Sequence, residues 1–146
     1  MPLSRASLLT LGLALAAPLP AWAACSVSAD PVAFGTIDVT RTSTGTGAVI
    51  VRCDAAASFE VGISPGRSGG EPRQMAGPQG GRLDYYLFAD AGHSVPWGDG
   101  QAIGGTRSGR SDGAATTRLV IYGVVPPQPG VPAGEYIDSL QVTLTF

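Results

Sequence analysis

The last stretch of the chain constrains the fold most. From Ser139 the residues alternate without exception. Leu140, Val142, Leu144 and Phe146 fall on one side, and Ser139, Gln141, Thr143 and Thr145 on the other. A period of two belongs to a strand with one buried face. Val, Thr and Phe suit a pleated, half-buried surface, and Gly134 breaks the chain just before it. The final residue is apolar, where domains commonly end in a few loose polar residues. The expectation is a strand whose outer edge nothing later in the chain covers.

The opposite end reads as a targeting segment. Arg5 is the only charge before Asp30. Residues 6–17 are apolar, helix-prone and too short to span a bilayer, so a membrane anchor is the weaker alternative. Pro18 and Pro20 break the run, and Ala21-Trp22-Ala23 has the small-x-small form of a cleavage site. The signal peptide is thus 1–23, and the exported domain 24–146. A lipoprotein signal is a rival, because Cys25 follows two alanines, although Trp22 stands where Leu, Val or Ile is expected.

Removing Arg5 with that segment takes the formal net charge from −2 to −3, and the chain contains no lysine. Nucleic acid and anionic membrane surfaces are therefore poor partners. Abundant Gly and Pro with little charge superficially suggests disorder. The alternating apolar runs argue against it, since they bury enough surface to offset ordering. The two cysteines, Cys25 and Cys53, favour a disulfide in an exported chain. Two free buried thiols are the alternative. On the chain-entropy account such a bond stabilises by roughly 3–4 kcal/mol.

The remaining runs read as further short strands. Val27, Val32 and Phe34 anchor the first, which Asp30-Pro31 kinks, so an edge position is expected; Ile37 and Val39 continue its alternation. Residues 41–47 read as a Ser/Thr/Gly connection. Val49, Val51 and Cys53 share one face of a strand over 48–54. Phe59, Val61 and Ile63 alternate in the next, and the intervening 54–58 suggests a hairpin. Residues 64–82 read as a long loop or a weak, irregular hairpin. Leu83, Tyr85 and Leu87 oppose Tyr86 and Phe88 in a strand apolar on both faces, which suits a central position. Residues 101–115 read as a Gly/Ser-rich loop. A strand over 118–125 precedes a proline-rich connection at 126–132. About seven short strands with turn residues between them predict an all-β, antiparallel β-sandwich.

Chemistry is scarce. His93 lies beside Gly92 in a turn, and no nucleophile elbow surrounds Ser94. A zinc site lacks ligands once the cysteines pair. Asp99-Gly100 begins no calcium loop, and no Gly-Lys-Ser/Thr follows the Gly-rich stretches. Asp84 and Asp90 are the paired carboxylates that could serve glycoside hydrolysis. The expectation is no enzyme, no metal and no cofactor.

An ordered set of short motifs carries a resemblance. It comprises Cys25-x-Val27 with Phe34-Gly35, Val49-Ile50-Val51-x-Cys53, Leu83-x-Tyr85-x-Leu87, Trp97-Gly98-Asp99-Gly100, Tyr122-Gly123 and Gly134-x-Tyr136-x-Asp138. In this order they resemble the spore coat protein U domain, the pilin-like family of archaic chaperone–usher pili. The resemblance covers nearly all of 24–146. It implies an immunoglobulin-like sandwich missing its final strand, with a hydrophobic groove beside the C-terminal strand. A periplasmic chaperone would fill that groove first, and the N-terminal extension of another subunit would fill it in a fibre. An outer-membrane usher and other pilins are further implied partners. Leu140, Val142, Leu144 and Phe146 would line the groove, with the Phe146 carboxylate held by a basic chaperone residue. Strand addition of this kind takes affinity from backbone hydrogen bonds and specificity from side-chain pockets.

One departure matters. A donor extension needs on the order of ten residues, and after cleavage only Ala24 precedes Cys25. The expected role is a terminal or minor subunit of a pilus or surface coat, reached through the periplasm. On that view residues 64–82 and 101–115 would contact a surface. The alternative is a self-contained secreted sandwich that binds carbohydrate or protein, with Trp97 and Tyr86 as contact residues. Tyr85 is assigned to the core by its parity.

Overall fold

A computed structural model describes residues 22–146; the signal peptide expected over 1–23 lies almost wholly outside the described residues. Eight strands form two antiparallel sheets. They are β1 (Cys25–Ala33), β2 (Ser43–Cys53), β3 (Ala56–Ile63), β4 (Arg73–Ala76), β5 (Arg82–Phe88), β6 (Arg107–Asp112), β7 (Thr117–Val125) and β8 (Val142–Thr145). One sheet has the order β1-β2-β7-β5-β4 and the other β6-β3-β8. The only helical pieces among the described residues are two 3₁₀ turns of three residues each.

The alternation read from sequence decides what fills the sandwich. Val49, Val51 and Cys53 of β2, Leu83, Tyr85 and Leu87 of β5, and Leu119, Ile121 and Val125 of β7 are buried from one layer. Phe59, Val61 and Ile63 of β3 meet them from the other. Burying a side chain of this size removes about 1.5–3 kcal/mol of exposure cost, so each strand's register is held by its apolar set. Cys25 and Cys53 face each other across β1 and β2 and are bonded. The bond consumes the thiol that lipidation at Cys25 would require.

Four local expectations need correction. The hairpin expected between β2 and β3 is a crossover: β2 pairs with β1 and β7, while β3 pairs with β6 and β8. Both strands carry an apolar face, and a sandwich opposes those faces where a hairpin would set them side by side. The short link holds its end of the first sheet through Ala24 and Asp54, which bond backbone to backbone at 3.0 Å and backbone to carboxylate at 2.7 Å.

The connection expected over 41–47 already belongs to β2 from Ser43 onward. Its Gly45 and Gly47 are strand residues because another segment lies directly on them, as described below. Residues 101–115 contain a strand, β6, paired with β3 through Ala56↔Asp112 to Val61↔Arg107. Its sequence is polar because it is an edge held by backbone bonds. Lastly, β8 is shorter than the alternation suggests. Residues 64–82 do contain the irregular hairpin partner: β4 pairs with β5 from Arg73↔Tyr85 to Ala76↔Arg82.

Candidate functional site

The site begins where β1 leaves its sheet. Up to Asp30↔Ala48 its pairing with β2 is regular; the next pair is Ala33↔Thr46. Pro31 has no N–H for the ladder, and the chain rises onto the inner face of β2 and β7. The residues beneath are Gly45, Gly47 and Gly123. Gly45 and Gly123 are direct cross-strand partners. A Cβ at Gly123 would lie 2.6 Å from Phe34 Cζ, and one at Gly47 would lie 2.8 Å from Val32 Cγ2. Their missing side chains form the trough in which Val32 and Phe34 rest. Phe34 meets Tyr85 edge-on with ring centroids 6.0 Å apart.

The opposite wall is the segment leading into β8. It crosses between the layers. Ile137 exchanges backbone bonds of 2.9 and 3.0 Å with Ala76, at the β4 edge of the first sheet. Val142–Thr145 then pairs with β3 in the second sheet, from Ile63↔Val142 to Glu60↔Thr145. Two contacts fix the changeover. Ser64 exchanges bonds with Gln141, each of 2.9 Å, and Asp138 accepts from the Arg67 N–H at 3.1 Å and the Ser139 N–H at 2.9 Å. Among the described residues, β8 has a partner on one side only.

Between these walls the core is open. Two adjoining hollows of about 440 and 630 Å³ share Val32, Phe34, Met75 and Tyr136. The smaller has Ile63, Tyr85 and Ile121 as its floor and Leu140 and Val142 on its β8 side. The larger continues past Ile37 and Val39 toward Val131. The result is an apolar trench beside an unpaired strand edge.

One polar cluster joins the wall before β8 to this floor. The Tyr85 hydroxyl donates to Asp138 Oδ2 at 2.8 Å. Burial, and then that bond, pushes the tyrosine's pKa well above its ordinary value, so it stays a neutral donor. Behind it, Arg73 is 1% exposed. Its guanidinium donates to the carbonyls of Ser64, Ile63 and Trp97 at 2.9, 3.0 and 3.0 Å. Burial lowers its pKa, opposed by Tyr85, Glu71, Asp138 and Asp99. Arg73 therefore ties together the end of β3, the loop after it and the Trp97 segment.

The residues expected at the site divide. Leu140 and Val142 line the trench. Leu144 keeps the same parity and packs, half-buried, against the core. Phe146 is 58% exposed and lies beyond the lining. Trp97, expected as a surface contact, is instead a core residue: it is 1% exposed, its Nε1–H donates to the Val61 carbonyl at 2.9 Å, and Arg107 lies over its ring. A Trp in a glycine-rich run reads as a loop contact until the loop is seen folded over β3. Tyr86 is half-buried on the outer face, across from Val124. Asp84 bonds Gln74 and Gln128, and Asp90 caps the turn at Ser94 and Val95; each has a local structural use. Sequence reading missed the Tyr85–Asp138 pair and the glycine trough. Glycines at every second position of a strand, opposite a kinked apolar segment, were the available signal.

The family described as Spore Coat Protein U domain matches residues 11–143. No curated protein matches the sequence. Among solved structures, the chain is similar to one from the crystal structure of the CsuC–CsuE chaperone–tip adhesion subunit pre-assembly complex from archaic chaperone-usher Csu pili of Acinetobacter baumannii. The TM-score is 0.65 at 20% identity, over 86% of this chain and 40% of that one. At that identity the likeness is one of fold. The match covers less than half of that chain's length.

Proposed function

Since the chain belongs to the Spore Coat Protein U domain family, we propose that it is an exported structural subunit of a chaperone–usher pilus or surface coat. On this reading it works by accepting a β-strand from another polypeptide. The observation that carries it is the trench: an apolar floor of Ile63, Met75, Tyr85 and Ile121 lies open beside the unpaired edge of β8. An added strand would bond to that edge through its backbone and place alternate side chains on the floor. It would also cover an edge that is otherwise an aggregation hazard. Leu140, Val142 and Leu144 would contact the strand, and Phe146 would flank its end. The partners on this reading are a periplasmic chaperone during export, an outer-membrane usher during secretion and other subunits at the cell surface. The role is structural, with no catalytic step. Position within a fibre depends on what precedes β1 in the mature protein. Cleavage after Ala23 would leave no donor strand and make the subunit terminal, and N-terminal sequencing of the exported chain decides it.

The self-contained binding module loses its main support, because Trp97 is buried in the core and offers no ring to a ligand. The experiment is periplasmic expression of the chain alone, then size exclusion and thermal unfolding, with and without a peptide of alternating apolar residues present during refolding. The expected result is an unstable or multimeric chain that the peptide converts to a stable monomer. A stable monomer indifferent to the peptide would refute strand acceptance.

A further inference from the structure

The trench also carries information about what enters it. We infer that the accepted strand bears basic residues between its apolar ones; this rests on the strand-accepting reading above. Every second side chain of an added strand points to the floor, and the side chains between them stand at the rim. The floor is apolar, so the rim decides the charge of the partner.

Among the described residues, the charged side chains lining the trench are Asp30, Glu135 and Asp138, and no arginine lines it. Asp30 is matched by Arg118 at 2.7 Å. The other two stand on the wall leading into β8. Asp138 accepts only from uncharged donors, the Tyr85 hydroxyl and two backbone N–H groups. The cation that acts on it, Arg73, is buried and committed to three carbonyls. Glu135 is exposed and makes neither an ion pair nor a hydrogen bond to a described residue. An acidic rim over an apolar floor favours lysine or arginine on the outward side of the strand and disfavours Asp or Glu there. At exposed positions each such charge changes affinity by roughly one-and-a-half- to fivefold, largely through the association rate.

The test uses the full chain refolded with a neutral alternating peptide. Displacement by three labelled peptides is followed; they share one apolar face and carry Ser, Lys or Glu at the intervening positions. The Lys peptide is expected to bind tighter than the Ser peptide by that factor per charge, and the Ser peptide tighter than the Glu peptide. The gaps should shrink as salt rises and the screening length falls below about 10 Å. Glu135→Gln should narrow the Lys-to-Ser ratio. Asp112→Asn, on β6 at the opposite edge of that sheet, should leave that ratio as it was. Equal affinities, a preference for Glu, or equal narrowing by both variants would overturn the inference and leave strand acceptance standing. Binding of none of the three peptides would overturn both.

Discussion

Gly45→Ala tests whether the kinked end of β1 lies on a glycine trough. A methyl group built at Gly45 lies 2.9 Å from the Ala33 carbonyl carbon and 2.9 Å from Phe34 Cδ1, and closer still to the Ala33 oxygen. The backbone of Gly45 needs no special conformation, so the effect is one of space alone. The obstacle is main chain rather than the end of a side chain. β2 is also held on both sides, by β1 and β7, so the 31–34 segment must lift. Overpacking of this kind costs about 1–3 kcal/mol, and the backbone clash places Gly45→Ala in the upper half of that range. At a few degrees per kcal/mol for a domain of this size, the melting temperature of the peptide-complemented protein should fall by roughly 6–12 °C. Gly123→Ala is the informative companion. The nearest atoms its added methyl group meets are side-chain atoms of Phe34 and Val32, which can swing toward the open trench, so its loss should be smaller. Differential scanning fluorimetry at fixed peptide excess gives both values. A Gly45→Ala variant melting within about 2 °C of the parent would refute the close approach, and with it this account of how the trench wall is built.

Two further outcomes are expected. Replacing both cysteines by serine should cost about 3.5 kcal/mol, from a closed loop with a sequence separation of 28; denaturant unfolding of the complemented protein measures it. Tyr85→Phe removes the hydroxyl bond to Asp138 and should cost about 1.5–3 kcal/mol, the usual range for a bond to a charged group. It should also change the alkaline limb of stability. Tyr85 has a raised pKa in the folded state. Its contribution is therefore complete below the ordinary tyrosine value of about 10 and declines as pH rises above it, because only the unfolded chain ionises there. Thermal unfolding between about pH 8 and 11 should show a shallower fall for Tyr85→Phe than for the parent; an identical slope would refute the assignment.

Strands β2, β3, β5 and β7 were legible because each has a buried face, and burial writes a period of two into the sequence. Val49, Val51 and Cys53, then Phe59, Val61 and Ile63, then Leu83, Tyr85 and Leu87 all lie inside as their parity requires. Strand β6 was not legible, because Arg107–Asp112 is an edge whose pairing is made by the backbone and leaves no apolar pattern. Trp97 was misread for a related reason. Its neighbours Gly98 and Gly100 suggest an exposed turn, but the fold lays that turn over β3, with the Trp97 indole Nε1–H on the Val61 carbonyl.

The sequence by itself determined the class of fold, the inward face of the long strands and the apolar side of β8, and it favoured a disulfide that the Cys25↔Cys53 register then made possible. The first three follow from local periodicity and composition. Tertiary structure alone decided which sheet each strand joins, and therefore that β2 and β3 oppose each other rather than forming a hairpin. It alone set the 31–34 segment on Gly45, Gly47 and Gly123 and brought Tyr85 within 2.8 Å of Asp138, 53 residues away. The physical reason is that periodicity tells each residue which side to face but not what it will face. Partners across a sandwich are chosen by how whole layers close over a common core.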